Sequence, residues 1–486
     1  MAPSPLKICL ASSEFAPLAK TGGLADVSAA LSAYLHQAGH DIRVLMPRYA
    51  TLNLDGLAAR PVDFLQNISV PIGPWDIEYS IDYVTLPDSG LTIYLLRCPV
   101  LYDRPGLYTN DDDEHLRFVL LSRAAIEMCQ RMGFAPDVFH CHDWHTSLVP
   151  LYLRSIYAWD SLFTKTKSVL TIHNIGYQGV FDRSVLNDLH LGEHAHMLHQ
   201  DDLNAGRINF LKTGLLHADA LTTVSPTYAR EIQGEEYGMG LDGVLRARSD
   251  RLVGILNGVD YGEWDPAVDK RIPANYTSDD LSGKRLCKTE LMRQMGLDVD
   301  PDRPLVGIVT RLASQKGIVL MQGVLPALLA RRPFSVVVLG SGEPQYERFF
   351  EALQQAAPGA VCFYRGYNED LAHTIEAGSD IFLMPSAYEP CGLNQMYSLK
   401  YGTVPVVRRT GGLADSVVQI DPSAGTGTGV VFDHYDESGL AWALNRTLDL
   451  YERTELWRRL MRNGMQQDFS WQRQGERYVS LFRLLK

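Results

Sequence analysis

Cysteine is sparse in this sequence and nowhere clustered. Seven residues (Cys9, Cys98, Cys129, Cys141, Cys287, Cys362 and Cys391) are scattered over 486, with no C-x-x-C pair. An odd, dispersed set supplies no disulfide framework and reads as reduced thiols at a cytoplasmic address. Long hydrophobic runs are missing too. The first apolar run, Ile8 to Ala11, is cut short by Ser12, Ser13 and Glu14, so it reads as neither a signal peptide nor a membrane anchor. Positive charge is in deficit: the formal net charge is -12, which argues against a nucleic-acid partner, since a phosphate backbone wants a basic face. Any phosphate this chain binds must be held by local charge.

What is present fits a large α/β protein. The length predicts two or three domains, and a hydrophobic fraction of 46% lets each bury a core. Short apolar runs alternate with helix-like stretches through both halves, the signature of parallel sheets flanked by helices. The first series runs through Lys7 to Ala11, Ile42 to Met46, Leu91 to Leu96, Asp137 to Cys141, Ser168 to Ile172 and Ala220 to Val224. The second runs through Leu305 to Val309, Ser335 to Leu339, Val361 to Tyr364, Ile381 to Met384 and Val404 to Val407. Residues 48–90, rich in Pro, Gly and Asp, read as a β-rich insertion. The expected bounds are 1–255 for a first domain, 256–465 for a second, and 466–486 for a terminal helix.

One hexapeptide, Thr-Gly-Gly-Leu-Ala-Asp, occurs at Thr21 to Asp26 and again at Thr410 to Asp415, each time after an apolar run and before a helix-like one. A glycine pair at a strand-to-helix turn lets the backbone approach a ligand, and a helix start offers unpaired N–H groups suited to phosphate. A single such turn would read as a plain loop; repetition in matching context favours function. Ligands of open parallel sheets bind beyond the carboxyl ends of the strands, and polar clusters sit at those places. They are Lys20 and Asp26 around the first glycine pair; His140 to His145; His173-Asn174; Arg311 to Lys316; and Glu389 to Gln395.

Each cluster has a bland reading beside the chemical one. The histidines invite zinc, but zinc needs three or four convergent ligands and no outlying partner set is evident; no metal is expected. Asp111 to Glu114 reads as a solvated loop. His173 alone could be a core histidine, and its place after a strand beside Asn174 favours function. Arg311 can fork two phosphate oxygens while Lys316 adds a mobile charge, a pair suited to a leaving diphosphate; otherwise they are two solvated bases. Glu389 is either a dipole partner at a helix start or a grip on sugar hydroxyls.

Taken in order, Lys20-Thr-Gly-Gly-Leu-Ala-Asp-Val27, His142-Asp-Trp-His145, His173-Asn174, Ile255-Leu-Asn-Gly-Val259, Thr310-Arg-Leu-Ala-Ser-Gln-Lys-Gly317 and Glu389-Pro-Cys-Gly-Leu-Asn-Gln395 strongly resemble bacterial glycogen synthases and plant starch synthases. The resemblance spans nearly the whole chain. It implies the GT-B architecture, two Rossmann-like domains facing across a cleft, with a terminal helix returning to the first. It implies a retaining transferase that moves glucose from a nucleotide sugar, ADP-glucose in the bacterial branch, to the non-reducing 4-hydroxyl of an α-1,4-glucan such as glycogen, with no cofactor. The roles it carries over make Lys20, Asp26, His173, Arg311, Lys316 and Glu389 catalytic. Substrate contacts extend to Gly22, Gly23, His142, Asp143, Asn174, Tyr177, Gln178, Asn257, Tyr367, Cys391, Gly392, Leu393, Thr410, Gly411 and Gly412. Tyr397 stands where related retaining transferases carry a second acid, a departure that disfavours sucrose-forming relatives.

Charge should build on the departing diphosphate in such a reaction, so fixed positive groups and glycine-loop amides are expected to do most of the catalysis. No carboxylate nucleophile is clearly placed, which favours a same-face path over double displacement. An oxidoreductase would want G-x-G-x-x-G, which Gly22-Gly23-Leu24-Ala25-Asp26 lacks. A non-catalytic glucan-binding protein would have little use for Arg311, Lys316 and Glu389 together. Two rival chemistries stay open on sequence: a UDP-glucose donor, and phosphorylase-type chemistry with pyridoxal phosphate.

Overall fold

A computed structural model describes residues 4–486. The chain divides into two compact units, the first formed by the chain up to Gly258 together with Trp471–Lys486, the second by Val259–Ser470. The divisions thus fall a few residues beyond 255 and 465.

In unit 1 the strands are β1 (Lys7–Ala11), β2 (Asp41–Pro47), β3 (Arg60–Pro61), β4 (Ile68–Ile72), β5 (Trp75–Thr85), β6 (Thr92–Arg97), β7 (Val138–His142), β8 (Lys167–Ile172), β9 (Val180–Asp182), β10 (Arg207–Asn209), β11 (Ala220–Thr223) and β12 (Leu252–Gly254). The main sheet runs β12-β11-β8-β7-β1-β2-β6-β5-β3, with β4 also paired to β5. It is parallel from β12 through β6 and antiparallel where β5 meets β6, β4 and β3. The parallel strands are covered on both faces and so read as unbroken apolar runs: Ile8, Cys9, Leu10 and Ala11 are all fully buried. The helix Gly23–Gln37 buries Leu24, Val27, Leu31 and Leu35, one stripe at helical spacing. The helix Trp471–Leu485 joins this unit because its own stripe is apolar. Gly475 lets it sit against the Tyr34 ring, where a Cβ would lie 2.2 Å from Cδ1.

Unit 2 holds β13 (Leu305–Val309), β14 (Ser335–Gly340), β15 (Val361–Arg365), β16 (Ile381–Met384), β17 (Val404–Arg408) and β18 (Val430–Phe432). They form a parallel sheet ordered β15-β14-β13-β16-β17-β18. Its core packs Val306, Ile308, Val336, Val338 and Leu383 against Ile318, Leu325, Phe350 and Leu444 from the flanking helices.

Numbered within each unit, the parallel strands run 3-2-1-4-5-6-7 in unit 1 and 3-2-1-4-5-6 in unit 2. The strand order therefore reverses beside the first strand of each, and the loops there diverge to open a crevice at the strands' carboxyl ends. In unit 1 that point lies between β1 and β7, in unit 2 between β13 and β16.

Candidate active site

The loop after β1 leads through Lys20 and the first glycine pair into the helix starting at Gly23. Its shape is set by Glu14, a buried carboxylate. Glu14 accepts the Thr21 N–H and hydroxyl, each at 2.6 Å, the Gly22 N–H at 3.3 Å and the Tyr108 hydroxyl at 2.6 Å. The amides of Thr21 and Gly22 are thus committed to the protein, a correction to the expectation that the loop's amides as a group face a phosphate. The helix start at Gly23 carries the unpaired N–H groups of any first turn. Neither glycine is required by conformation: Gly22 is extended, and a Cβ on either would meet nothing within 4 Å. Lys20 and Asp26 flank the two glycines as an ion pair of 2.8 Å, both half-exposed.

Beyond β7 and β8 the histidines separate into different roles. His140 is a core residue, bonded to the Thr171 hydroxyl at 2.7 Å and packed on Tyr478 and Phe482. His145 is buried between Tyr108, Phe118 and Trp144. His142 is fully buried, and its Nδ1 pairs with Nε2 of the half-buried His173 at 2.9 Å. Burial lowers the pKa of His173 to about 3, so at neutral pH its imidazole is neutral. Asp143, the residue after His142, has φ +53, an unusual value outside glycine. It accepts the His173 N–H at 2.7 Å. Burial raises its carboxyl pKa to about 7, against the pull of the His173 and Asn174 amides.

Asn174 closes its own turn by accepting the Gly176 N–H at 3.0 Å, leaving Tyr177 exposed. Gln178 ties the segment to Met239 and Asn209. Asn257 is buried, and its Oδ1 makes no hydrogen bond among the described residues. An acceptor held dry in this way suits a hydroxyl donor.

In unit 2 the switch point joins the Arg311–Gly317 loop to the one carrying Glu389. Gly317 has φ +73, and a Cβ there would lie 2.1 Å from the Pro385 carbonyl oxygen, so only glycine permits the contact. The Ala387 N–H donates to the Gln315 carbonyl, and Gln315 Nε2 to the Tyr388 carbonyl. Lys316 Nζ lies 2.7 Å from Glu389 Oε2, which also accepts the Ser386 hydroxyl at 3.0 Å. Arg311 is exposed, and among the described residues its guanidinium has neither an ion pair nor a hydrogen bond. Tyr367, at the end of β15, is 65% exposed with its hydroxyl donating to Glu369.

The Glu389 loop rests on the second glycine pair. Cβ atoms on Gly411 and Gly412 would lie 1.9 Å from the Glu389 carbonyl oxygen and 2.0 Å from that of Cys391. The Gly412 N–H donates to the Glu389 carbonyl at 3.0 Å. Thr410 and Cys391 are buried, while Gly392 and Leu393 lead into the short helix Asn394–Lys400. Tyr397, where an acid would otherwise stand, stacks flat on Trp264 at 3.9 Å.

Sequence reasoning missed Glu14 as the organiser of the first loop, although an acid so close to the end of a buried strand was a usable signal. It missed Asp143's strained backbone, for which no local signal exists.

Two Rossmann-like units, each with its polar loops at the switch point, define a glycosyltransferase of the GT-B class. The chain matches the starch synthase catalytic domain family over residues 7–247 and glycosyl transferases group 1 over 294–466. It is 46% identical to glycogen synthase 1 of Geobacter sulfurreducens over 98% of this chain and 96% of that one. It is 44% identical to glycogen synthase of Koribacter versatilis over 99% and 98%. The catalytic domain of starch synthase IV from Arabidopsis thaliana, bound to ADP and acarbose, superposes with a TM-score of 0.91 at 35% identity, covering 99% of each chain. The chain belongs to the glycogen synthase and starch synthase family. No helix among the described residues is long and apolar enough to cross a membrane, and all seven cysteines are free thiols.

Proposed function

We propose that this chain transfers glucose from ADP-glucose to the non-reducing 4-hydroxyl of an α-1,4-glucan with retention of configuration, and does so in the cytoplasm. The observation that carries the proposal is the state of the unit 2 clamp: an exposed Arg311, without a partner among the described residues, beside a Lys316–Glu389 pair at the sheet's switch point. Such a clamp wants a second anion. A diphosphate arriving there forks onto Arg311 and competes for Lys316, which frees Glu389 to accept sugar hydroxyls. Tyr367 offers a face for the base. The loop around Thr410, Gly411 and Gly412 sets the position of the Glu389 backbone. ADP as the nucleotide is supported by the ADP-bound relative, and a glycogen-type glucan as acceptor by the names of the bacterial relatives.

The bond from the anomeric carbon to the leaving phosphate breaks as the acceptor 4-oxygen approaches the same face, and the hydroxyl proton passes to the departing phosphate. Arg311 and Lys316 stabilise the charge that grows there, work that needs no metal ion if the two cations suffice. Within unit 1, Lys20 and Asp26 flank the open space at Gly22 and Gly23, and His173, Asn174 and Asn257 offer neutral partners to hydroxyls.

A donor-competition assay with a glycogen primer tests the proposal. ADP-glucose should elongate it at least about tenfold more efficiently than UDP-glucose. Equal or better use of UDP-glucose would reassign the donor, and no elongation from either would favour a glucan-binding role.

A further inference from the structure

Early in unit 2 the chain runs beside the helix Glu369–Gly378, and a second cluster forms there outside the residues assigned above. Glu263, Glu369 and His373 each present one ligand atom, and these atoms all lie within 4.8 Å of one another. His373 is fully buried, with the Trp264 ring stacked at 3.7 Å on one face. Its Nδ1 lies 2.8 Å from Asp269 Oδ2, an oxygen that also accepts the Tyr401 hydroxyl at 2.6 Å. A carboxylate at Nδ1 fixes the tautomer with its proton there and turns Nε2 toward Glu369. Ligating histidines are held in this way.

His373 Nε2 makes no hydrogen bond among the described residues. Glu369 Oε1 stands 3.8 Å from it, too far for a hydrogen bond. That spacing suits two ligands on one ion, because metal–ligand bonds of about 2.1 Å set neighbouring ligands roughly 3–4 Å apart. Glu263 closes a third side and is shared with Arg271, whose guanidinium is 3.3 Å from Glu263 Oε1 and 2.7 Å from Asp370 Oδ1.

We propose that Glu263, Glu369 and His373 bind one divalent transition-metal ion, with Asp269 orienting the imidazole. Two carboxylates and one imidazole favour a borderline ion such as Zn²⁺ or Mn²⁺ over Mg²⁺ or Ca²⁺, which prefer all-oxygen sets. Water completes the shell on the side where Glu263 is exposed. The ion staples residues 263–269 to the helix and steadies Tyr367 through its bond to Glu369. Glu369 and His373 stand one helical turn apart, at i and i+4, but Glu263 is remote in sequence, so the pair alone does not announce the site.

The test uses tag-free, full-length protein stripped with a chelator and titrated with Zn²⁺ by calorimetry, with Co²⁺ absorption as a spectroscopic reporter. One equivalent should bind, and Zn²⁺ should raise the melting temperature. In Glu263→Gln and Glu369→Gln, both at partly exposed positions, affinity should fall about tenfold or more and the melting shift should vanish, while the metal-free proteins melt as the wild type does. Unchanged Zn²⁺ affinity in both variants overturns the site. Tighter binding of Mg²⁺ than of Zn²⁺ overturns the assignment of the ion.

Discussion

At Thr21–Asp26 a Cβ added to either glycine meets nothing within 4 Å, whereas at Thr410–Asp415 the same additions lie 1.9 and 2.0 Å from the carbonyl oxygens of Glu389 and Cys391. The six residues are identical. In the first copy, glycine borders open space; in the second it lets two protein loops touch. The preceding base differs in the same sense. Lys20 pairs with Asp26 of its own motif, while Arg409 turns away to Asp433 at 2.5 Å. A motif therefore reports the backbone turn it makes, and what that turn serves is decided by what packs against it.

The sharpest way to break this comparison is to add the missing methyl. Gly412→Ala forces a Cβ into a buried carbonyl, and we expect a loss of about 3 kcal/mol or more, seen as a large drop in melting temperature or as insoluble protein. Gly23→Ala sits at a helix start in open space and should keep stability within about 1 kcal/mol of the wild type while lowering turnover with the nucleotide sugar. Equal melting of the two variants would mean that the two copies are not used differently.

The clamp comes next in size. Arg311→Ala and Lys316→Ala should each lower turnover by about 10²–10³, with glucan binding retained. They should differ in stability. Arg311 has no partner to lose among the described residues, whereas Lys316→Ala leaves Glu389, 7% exposed, without its counter-ion, at a cost of about 2–3 kcal/mol. Denaturant melts of both variants, set beside their rates, separate the two roles; a stability loss at Arg311 matching that at Lys316 would contradict them.

Much of this arrangement was legible in the sequence because parallel strands buried on both faces leave apolar runs, and because chemistry concentrates where those runs end. Arg311, Lys316 and Glu389 were singled out in that way, and the sheet order brings their two loops together. The rest depends on closures over long separations. Glu14 matters because Thr21, Gly22 and Tyr108 converge on it, and Tyr397 because Trp264 lies flat against it. Asp143 carries its unusual backbone inside a motif that reads as an ordinary strand end. None of these leaves a local periodicity.

The pH dependence of stability should show the buried loops of unit 1 pulling in opposite directions. His140 and His173, with pKa values near 3 in the folded protein through burial, charge first when unfolded, so stability present above pH 6.5 should decline as pH falls from there toward 3. Asp143 runs the other way: its folded pKa of about 7 means that its contribution is complete below the ordinary 3.8 and lost as pH rises through 7. Asp143→Asn keeps an acceptor for the His173 N–H and removes that loss. Urea melts should find the variant about 2–4 kcal/mol more stable than the wild type at pH 8, with the gap closing toward pH 4. A gap independent of pH would place the benefit elsewhere than in the carboxyl's ionisation.

The smallest effect expected is at the bases that precede the two hexapeptides. Lys20 and Arg409 both sit in half-exposed ion pairs, where water and salt screen most of the attraction and the pair contributes at most about 0.5 kcal/mol. Lys20→Met and Arg409→Met should therefore melt like the wild type. Activity should part them. Lys20 borders the open space of the first loop and can move from Asp26 to a phosphate or sugar oxygen, so its loss should lower turnover about tenfold, worth 1.36 kcal/mol in the barrier. Arg409 faces Asp433, away from its own motif, and its loss should leave the rate within about a factor of two. Steady-state rates for the two variants at saturating primer decide it. A drop at Arg409 as large as that at Lys20 would mean that the second copy, too, presents its base to the donor.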